Sequence, residues 1–109
     1  IDVQAGNVES AVRAFRESTG TDPTYVPGWR LLGAALRPTD PDGAVEAWRR
    51  AVDLSPGDVD ALLDLTALLH ETGSAGGART YLERYLEAQP PDAARVVEVR
   101  RRLAELSAP

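Results

Sequence analysis

Trp29-Arg30-Leu31-Leu32-Gly33-Ala34-Ala35-Leu36, followed by Ala44, Trp48, Ala51 and Pro56, is the stretch on which the reading of this chain turns. Trp29, Leu32, Gly33 and Leu36 fall at i, i+3, i+4 and i+7, which is one face of a helix. The pattern recurs. Leu62, Leu65 and Leu69 stand 33 residues after Trp29, Leu32 and Leu36, and Ala78, Leu82, Tyr85 and Pro90 stand 34 after Ala44, Trp48, Ala51 and Pro56. Upstream, Ala11, Phe15, Ser18 and Pro23 precede the same four positions by 33. A fixed period with helical spacing inside it marks stacked helical repeats, each too small to bury its apolar face alone.

Local signals place the helix ends. Ile1–Ala5 reads as the tail of a helix, Gly6-Asn7 as a turn, and Asn7 to about Thr19 as a helix with Val8, Ala11, Val12 and Phe15 on one stripe. Gly20 and Pro23 stop it. Tyr25 to Arg37 is the next helix, with Pro27 tolerated in its first turn. Gly33 in its interior costs about 1 kcal/mol relative to Ala, a cost that close approach of a neighbouring helix offsets. Asp40 caps a helix that begins at Pro41, carries Ala44, Val45, Trp48, Ala51 and Val52, and ends near Leu54. Asp58 caps a helix to about Thr72 with Leu62, Leu65, Leu68 and Leu69 inward, and Gly73 ends it. Ser74 is expected to cap the helix carrying Ala78, Tyr81, Leu82 and Tyr85, and Asp92 the last, whose stripe is Val96, Val99, Leu103 and Leu106. No alternating run marks a strand.

Composition narrows the function classes. With 109 residues and 43 % hydrophobic content the chain suffices for one continuous core, but aromatics are only 6 %, so Ala, Leu and Val do most of the packing. The net charge of −5 argues against a nucleic-acid partner. There is no Cys, which excludes disulfides, thiolate catalysis and Cys-ligated zinc. No apolar run approaches the roughly 20 residues of a membrane span, and no signal peptide is visible; a cytoplasmic location is expected over an exported one. All 12 basic side chains are Arg, a usage that points to a GC-rich, bacterial genome. The chain begins at Ile1 and contains no Met, so it reads as processed or as a piece of something larger.

The periodic residues carry a specific resemblance. Trp29, Leu32, Gly33 and Leu36, then Ala44, Trp48, Ala51 and Pro56, match the signature of the tetratricopeptide repeat. Leu62, Leu65, Thr66 and Leu69, then Ala78, Leu82, Tyr85 and Pro90, form a second copy; Gly6, Ala11, Phe15, Ser18 and Pro23 form half of an earlier one. Thr66 stands where the signature has Gly, and Ser18 and Tyr85 where it has Ala. The last helix resembles the solvating helix that closes such arrays. The resemblance implies an all-α, right-handed superhelical array of antiparallel helix pairs: about six helices plus an N-terminal stub, ending in a capping helix. The expected divisions of this single domain are 1–25 (partial repeat), 26–58 and 59–92 (repeats) and 93–109 (cap).

The same resemblance implies an interaction scaffold in which first helices of the repeats line a groove for a partner peptide or helix. The positions so implied are Arg30, Ala34 and Arg37, then Asp60, Leu63, Asp64, Ala67 and His70, then Val97 and Arg101. A subclass of the family grips a peptide's C-terminal carboxylate with Lys and Asn side chains. This chain has no Lys, and Ala34 stands where the clamp Asn is expected, so that ligand is not. The alternative is a structural or regulatory accessory domain of a larger polypeptide, such as an enzyme.

No chemistry is legible. His70 is a lone histidine without a nucleophile or second ligand at recognisable spacing. Asp58, Asp60 and Asp64 sit at a helix start, where acids stabilise the dipole, and lack the glycine-containing loop that wraps calcium. Arg100-Arg101-Arg102 is flanked by Glu98 and Glu105 and reads as a solvated face. No cofactor, metal or catalytic residue is therefore expected; the expected partner is a protein or peptide. At the open N-terminal end the stripe of Val8, Val12 and Phe15 is covered on one side only. That apolar end is expected to pack on preceding residues or to form a symmetric homodimer.

Overall fold

The computed structural model describes the backbone of residues 3–107 and the side chains of residues 6–106. These residues form six α-helices and no strand: α1 (Val3–Thr21), α2 (Val26–Leu36), α3 (Pro41–Leu54), α4 (Val59–Glu71), α5 (Ala75–Glu87) and α6 (Ala93–Ser107). The chain divides into two compact units, Ile1–Ser55 and Pro56–Pro109. In the first, α2 packs on α1 and on α3. The connections 22–25 and 37–40 are short enough to turn each helix back along the one before. In the second, α5 packs on α4 and α6, again through short turns, and α4 also touches α6.

The helix starts follow the chemistry of their caps. Asp40 accepts a hydrogen bond from the Gly43 amide at 3.0 Å, with Pro41 at the first helical position. Asp58 accepts from Ala61 at 3.1 Å and Asp92 from Arg95 at 3.2 Å. Ser74 occupies the cap position of α5, but its hydroxyl makes no capping bond, contrary to expectation. Its ψ of 49° is tighter than the 75° and 94° of Asp40 and Asp58, and its side chain is a bond shorter. Gly73 ends α4 at φ +87°, in the left-handed region. The Ser74 amide reaches back to the Leu69 carbonyl at 2.7 Å, and the Gly73 amide to His70 at 3.2 Å, closing the helix end.

The turn expected at Gly6-Asn7 is not there. α1 runs through both residues, so the stub Ile1–Ala5 and the helix from Asn7 are one element over the described residues; Ile1 and Asp2 lie outside them. A glycine ends a helix by adopting positive φ, and Gly6 does not. Nothing lies within 4 Å of its would-be Cβ, so it costs the helix only about 1 kcal/mol, which the turns on either side absorb.

Each unit has its own core. Leu32, Leu36, Ala44, Ala47, Trp48, Ala51 and Val52 are buried in the first; Val59, Ala61, Leu62, Leu65, Leu68, Leu69, Ala78, Leu82, Tyr85 and Val99 in the second. Gly33 shows why α2 and α3 lie so close. A Cβ there would collide with Nε1 and Cδ1 of Trp48 and stand 2.7 Å from its Cε2. The indole fills that space at 4 % exposure, and its N–H donates to the Arg30 carbonyl at 3.0 Å. In the second unit Thr66 holds the glycine's place. It is buried, and its hydroxyl donates to the Leu62 carbonyl at 2.9 Å. Tyr85, in an alanine's place, is also buried. The stripe of α1 is less well covered: Val8, Ala11, Val12 and Phe15 are all half-buried, and only Thr19 near its end is buried.

Candidate functional site

α2 presents two sides. Gly28, Leu32, Gly33 and Leu36 face the core. Ala34 is exposed and Arg30 half-buried, and exposed Arg37 follows the last helical residue. Arg30 and Arg37 each already engage another group. Leu31, absent from the expected groove set, keeps 49 % of its surface exposed. Its signal lay in the sequence: a helix with inward Leu32 and Leu36 carries a further Leu off that stripe.

In the second unit, α4 supplies exposed Asp60, Asp64 and His70 beside half-buried Leu63 and Ala67. α6 supplies exposed Arg101 and Val97, the latter 66 % exposed. Arg95 joins these two helices. One guanidinium nitrogen donates to Asp60 at 3.1 Å and another to Glu98 at 3.0 Å. Arg95 was not among the expected residues. Its separation of 35 from Asp60, about one repeat, is the signal that places the two on neighbouring helices. The hydrogen bond to Glu98 and the charge of Asp60 hold the guanidinium still more firmly protonated than usual. Tyr85 on α5 feels the charge of the same group. Burial raises its phenol pKa, the Asp92 carboxylate adds to the rise, and Arg95 opposes it.

Trp29 donates its indole N–H to the Pro23 carbonyl at 2.7 Å, tying the connection before α2 to the helix, and Arg50 of α3 lies 5.7 Å over its ring. Arg50 also pairs with Glu46 at 3.4 Å, and Arg102 with Glu105 at 3.6 Å. Among the described residues no three His, Asp or Glu side chains gather closely enough to hold a metal ion. Among them, too, no helix is long and apolar enough to cross a membrane.

Helix pairs of fixed period, small residue set against large side chain, with polar and apolar residues displayed on the first helix of each, define a helical-repeat protein. The family profile of the tetratricopeptide repeat matches residues 35–103. The chain belongs to that family. It is 30 % identical over 88 residues to a peroxisomal targeting signal receptor of Yarrowia lipolytica; the match takes in 80 % of this chain but only 15 % of that receptor's length. Its fold is similar to that of the type III secretion chaperone SycD of Yersinia enterocolitica in complex with a peptide of the translocator YopD. That likeness has a TM-score of 0.75 at 17 % identity over 95 % of this chain and 82 % of SycD. The first tetratricopeptide domain of Spaghetti (RPAP3), bound to the HSP90 peptide SRMEEVD, is similar with a TM-score of 0.68. It is 20 % identical over 96 % of this chain and 84 % of that one.

Proposed function

We propose that this chain is a protein–protein interaction module that holds a peptide or helix of a partner on the exposed sides of its first helices. Arg30, Ala34 and Arg37 are the contact candidates of the first unit. Asp60, Leu63, Asp64, Ala67, His70, Val97 and Arg101 are those of the second. The observation that carries the reading is that Leu31 and Val97 stay exposed on these sides while the opposite sides of the same helices build the cores. Exposed aliphatic side chains among charged ones are the usual make-up of a protein-binding face. Both structural neighbours cited above hold peptides.

The test is a random peptide library displayed against the 109-residue chain, with the selected peptides mapped by amide chemical shifts. Binders that shift α2, α4 or α6 and lose affinity in Val97→Asp or Leu63→Asp support the reading. Binders that map only to α1 or α3, or a library that yields none, sink it. The second reading is an accessory domain within a larger polypeptide. It is favoured by the match to the targeting receptor, of which this chain spans only a small part. A neighbouring domain whose activity changes when residues 1–109 are deleted would decide for it.

A further inference from the structure

α2 is apolar on both sides. Besides its buried side it carries Pro27, Leu31 and Ala34 at i, i+4 and i+7, with Pro38 a turn further on, just past its end; all four are exposed. A helix facing water on one side ordinarily puts polar residues there. The exposed positions of α4 do so, with Asp60, Asp64 and His70. A contiguous exposed apolar stripe marks a contact surface. Between residues 23 and 39 there is no Asp or Glu, and the only charged side chains are Arg30 and Arg37. Seven apart, these two lie along one edge of the stripe. Each engages another group already, but a guanidinium has five donors and can share them among several carboxylates.

We propose that this face of α2 seats an amphipathic helix of a partner protein, with aliphatic side chains packed around Leu31 and Asp or Glu along the edge that meets Arg30 and Arg37. The inference rests on the groove reading above and narrows it to one face and one partner chemistry. The relief of the stripe favours a helix over an extended strand. Leu31 stands as a ridge and Ala34, one turn on, leaves a dip, the surface into which a facing helix sets its own i, i+4 ridge. The charge of the edge sets the sign: a partner bearing Lys or Arg there meets like charge, and one bearing Asp or Glu gains charge-assisted hydrogen bonds.

Two designed helical peptides of about 18 residues, long enough to be partly helical in water, probe this directly. Both carry Leu at i, i+4 and i+7; one has Glu along the flanking edge, its twin Lys. Amide chemical shifts and fluorescence anisotropy are read with the 109-residue chain. The expected result is a saturable response confined to α2 and its flanks, tighter for the Glu peptide by roughly tenfold, about 1.4 kcal/mol. Leu31→Gln should weaken it by roughly tenfold with an unchanged thermal melt, because Leu31 is half exposed. Equal affinity for the twins, or indifference to Leu31→Gln, overturns the proposal. Shifts on α4 and α6 alone overturn it and leave the groove reading standing. Absence of binding by either peptide at millimolar concentration overturns it too, while the library selection above decides the groove reading separately. Concentration-dependent sedimentation of the chain alone, abolished by Leu31→Gln, would make the occupant a second copy and overturn the partner assigned here.

Discussion

The two units solve one packing problem with opposite distributions of volume. In the first, Gly33 clears the space and Trp48 fills it. In the second, Thr66 and Leu82 hold the corresponding positions, and Leu82 is fully buried. One pair is very small against very large and the other medium against medium. Trp48 fills the space that Gly33 leaves, and Thr66 and Leu82 are both buried, as expected where a close-packed interior constrains the sum at a contact more tightly than either member. The pairs also differ in polar bookkeeping. Trp48 sends its N–H to a carbonyl on the facing helix, whereas Thr66 satisfies its hydroxyl within its own helix. The first unit's contact therefore ties two helices through a hydrogen bond as well as through shape.

Truncating the large member tests this contrast most severely. Trp48→Ala should cost about 3–5 kcal/mol, and Leu82→Ala about 2–5. Urea denaturation of each variant measures the loss. A loss below about 1 kcal/mol for Trp48→Ala would show that the indole is not the centre of the first unit. Exchange of the small members comes next. Gly33→Thr should cost about 1–3 kcal/mol, since its Cβ overlaps the indole and α2 or α3 must move. Thr66→Gly should cost about 1 kcal/mol from helix propensity, with a further loss from the vacated methyl. The sharper experiment transplants the pair. Gly33→Thr with Trp48→Leu places the second unit's solution in the first. If the sum is what the contact constrains, the double variant loses distinctly less than the two single losses added, a coupling that a double-mutant cycle reads. Strict additivity would refute the account.

How far the sequence could be read depended on what each residue answers to. The helices, their order and most inward residues followed from a period of 33 or 34 and the caps Asp40, Asp58 and Asp92, because these are local signals repeated over the chain. Gly33 was legible as a close approach because a mid-helix glycine needs a reason. Gly6 was misread, because the same residue type ends one helix and is carried through another, and the deciding quantity, the sign of φ, belongs to the folded backbone. Ser74 was misread for a similar reason: its residue type suits a cap, and its dihedrals do not provide one. At the candidate site the positions on α2 and α4 came from the family resemblance, and Ala34, Asp60, Asp64 and His70 among them are exposed. Leu31 was passed over because the family positions carried onto α2 do not include it, although it lies off the inward stripe. Arg95 was passed over because the repeat brings it near Asp60 without fixing which carboxylate its guanidinium meets.

The glycines of α5 offer a smaller and opposite effect. Gly76 and Gly77 follow a cap that makes no side-chain bond, so the first turn of α5 is the weakest start in its unit. A Cβ at Gly76 meets nothing within 4 Å, and one at Gly77 comes only to 3.9 Å of Leu69 Cδ1. Gly76→Ala and Gly77→Ala should each stabilise by up to about 1 kcal/mol, seen as a higher melting temperature. The same substitution at Gly33 should do the reverse. Tyr85 adds a pH signature that the first unit lacks at its matching Ala51. Its phenol is raised above the ordinary 10.0, chiefly by burial. A raised folded pKa means a contribution fully present below pH 10 and lost as pH climbs through the folded value. Stability should therefore fall on the alkaline side, and Tyr85→Phe should flatten that limb; an identical alkaline profile in the variant would remove Tyr85 as its cause.

The least effect is expected at Arg95, which links α6 to α4 in the second unit. Its side chain is 37 % exposed and that of Asp60 58 %, so both charges keep much of their hydration and the pair is weak as exposed ion pairs are. Its consequence should be local. Val99 is the one fully buried apolar side chain of α6; Val96 and Leu103 are half-buried. A helix with so narrow a buried stripe opens more easily than its neighbours. Arg95 is its polar tie to α4. Removing that tie in Arg95→Ala should speed amide exchange in α6 while leaving α4 and α5 nearly unchanged, and should leave the global melt close to the parent's. Salt supplies the control. Ions at about 1 M shorten the screening length to about 3 Å, so the exchange difference between parent and variant should shrink as NaCl is raised. If α6 exchanges equally fast in both proteins at low salt, Val99 and its half-buried neighbours hold the helix by themselves. A difference that persists undiminished at high salt would trace the effect of Arg95 to the packing of its aliphatic stem and not to its charge.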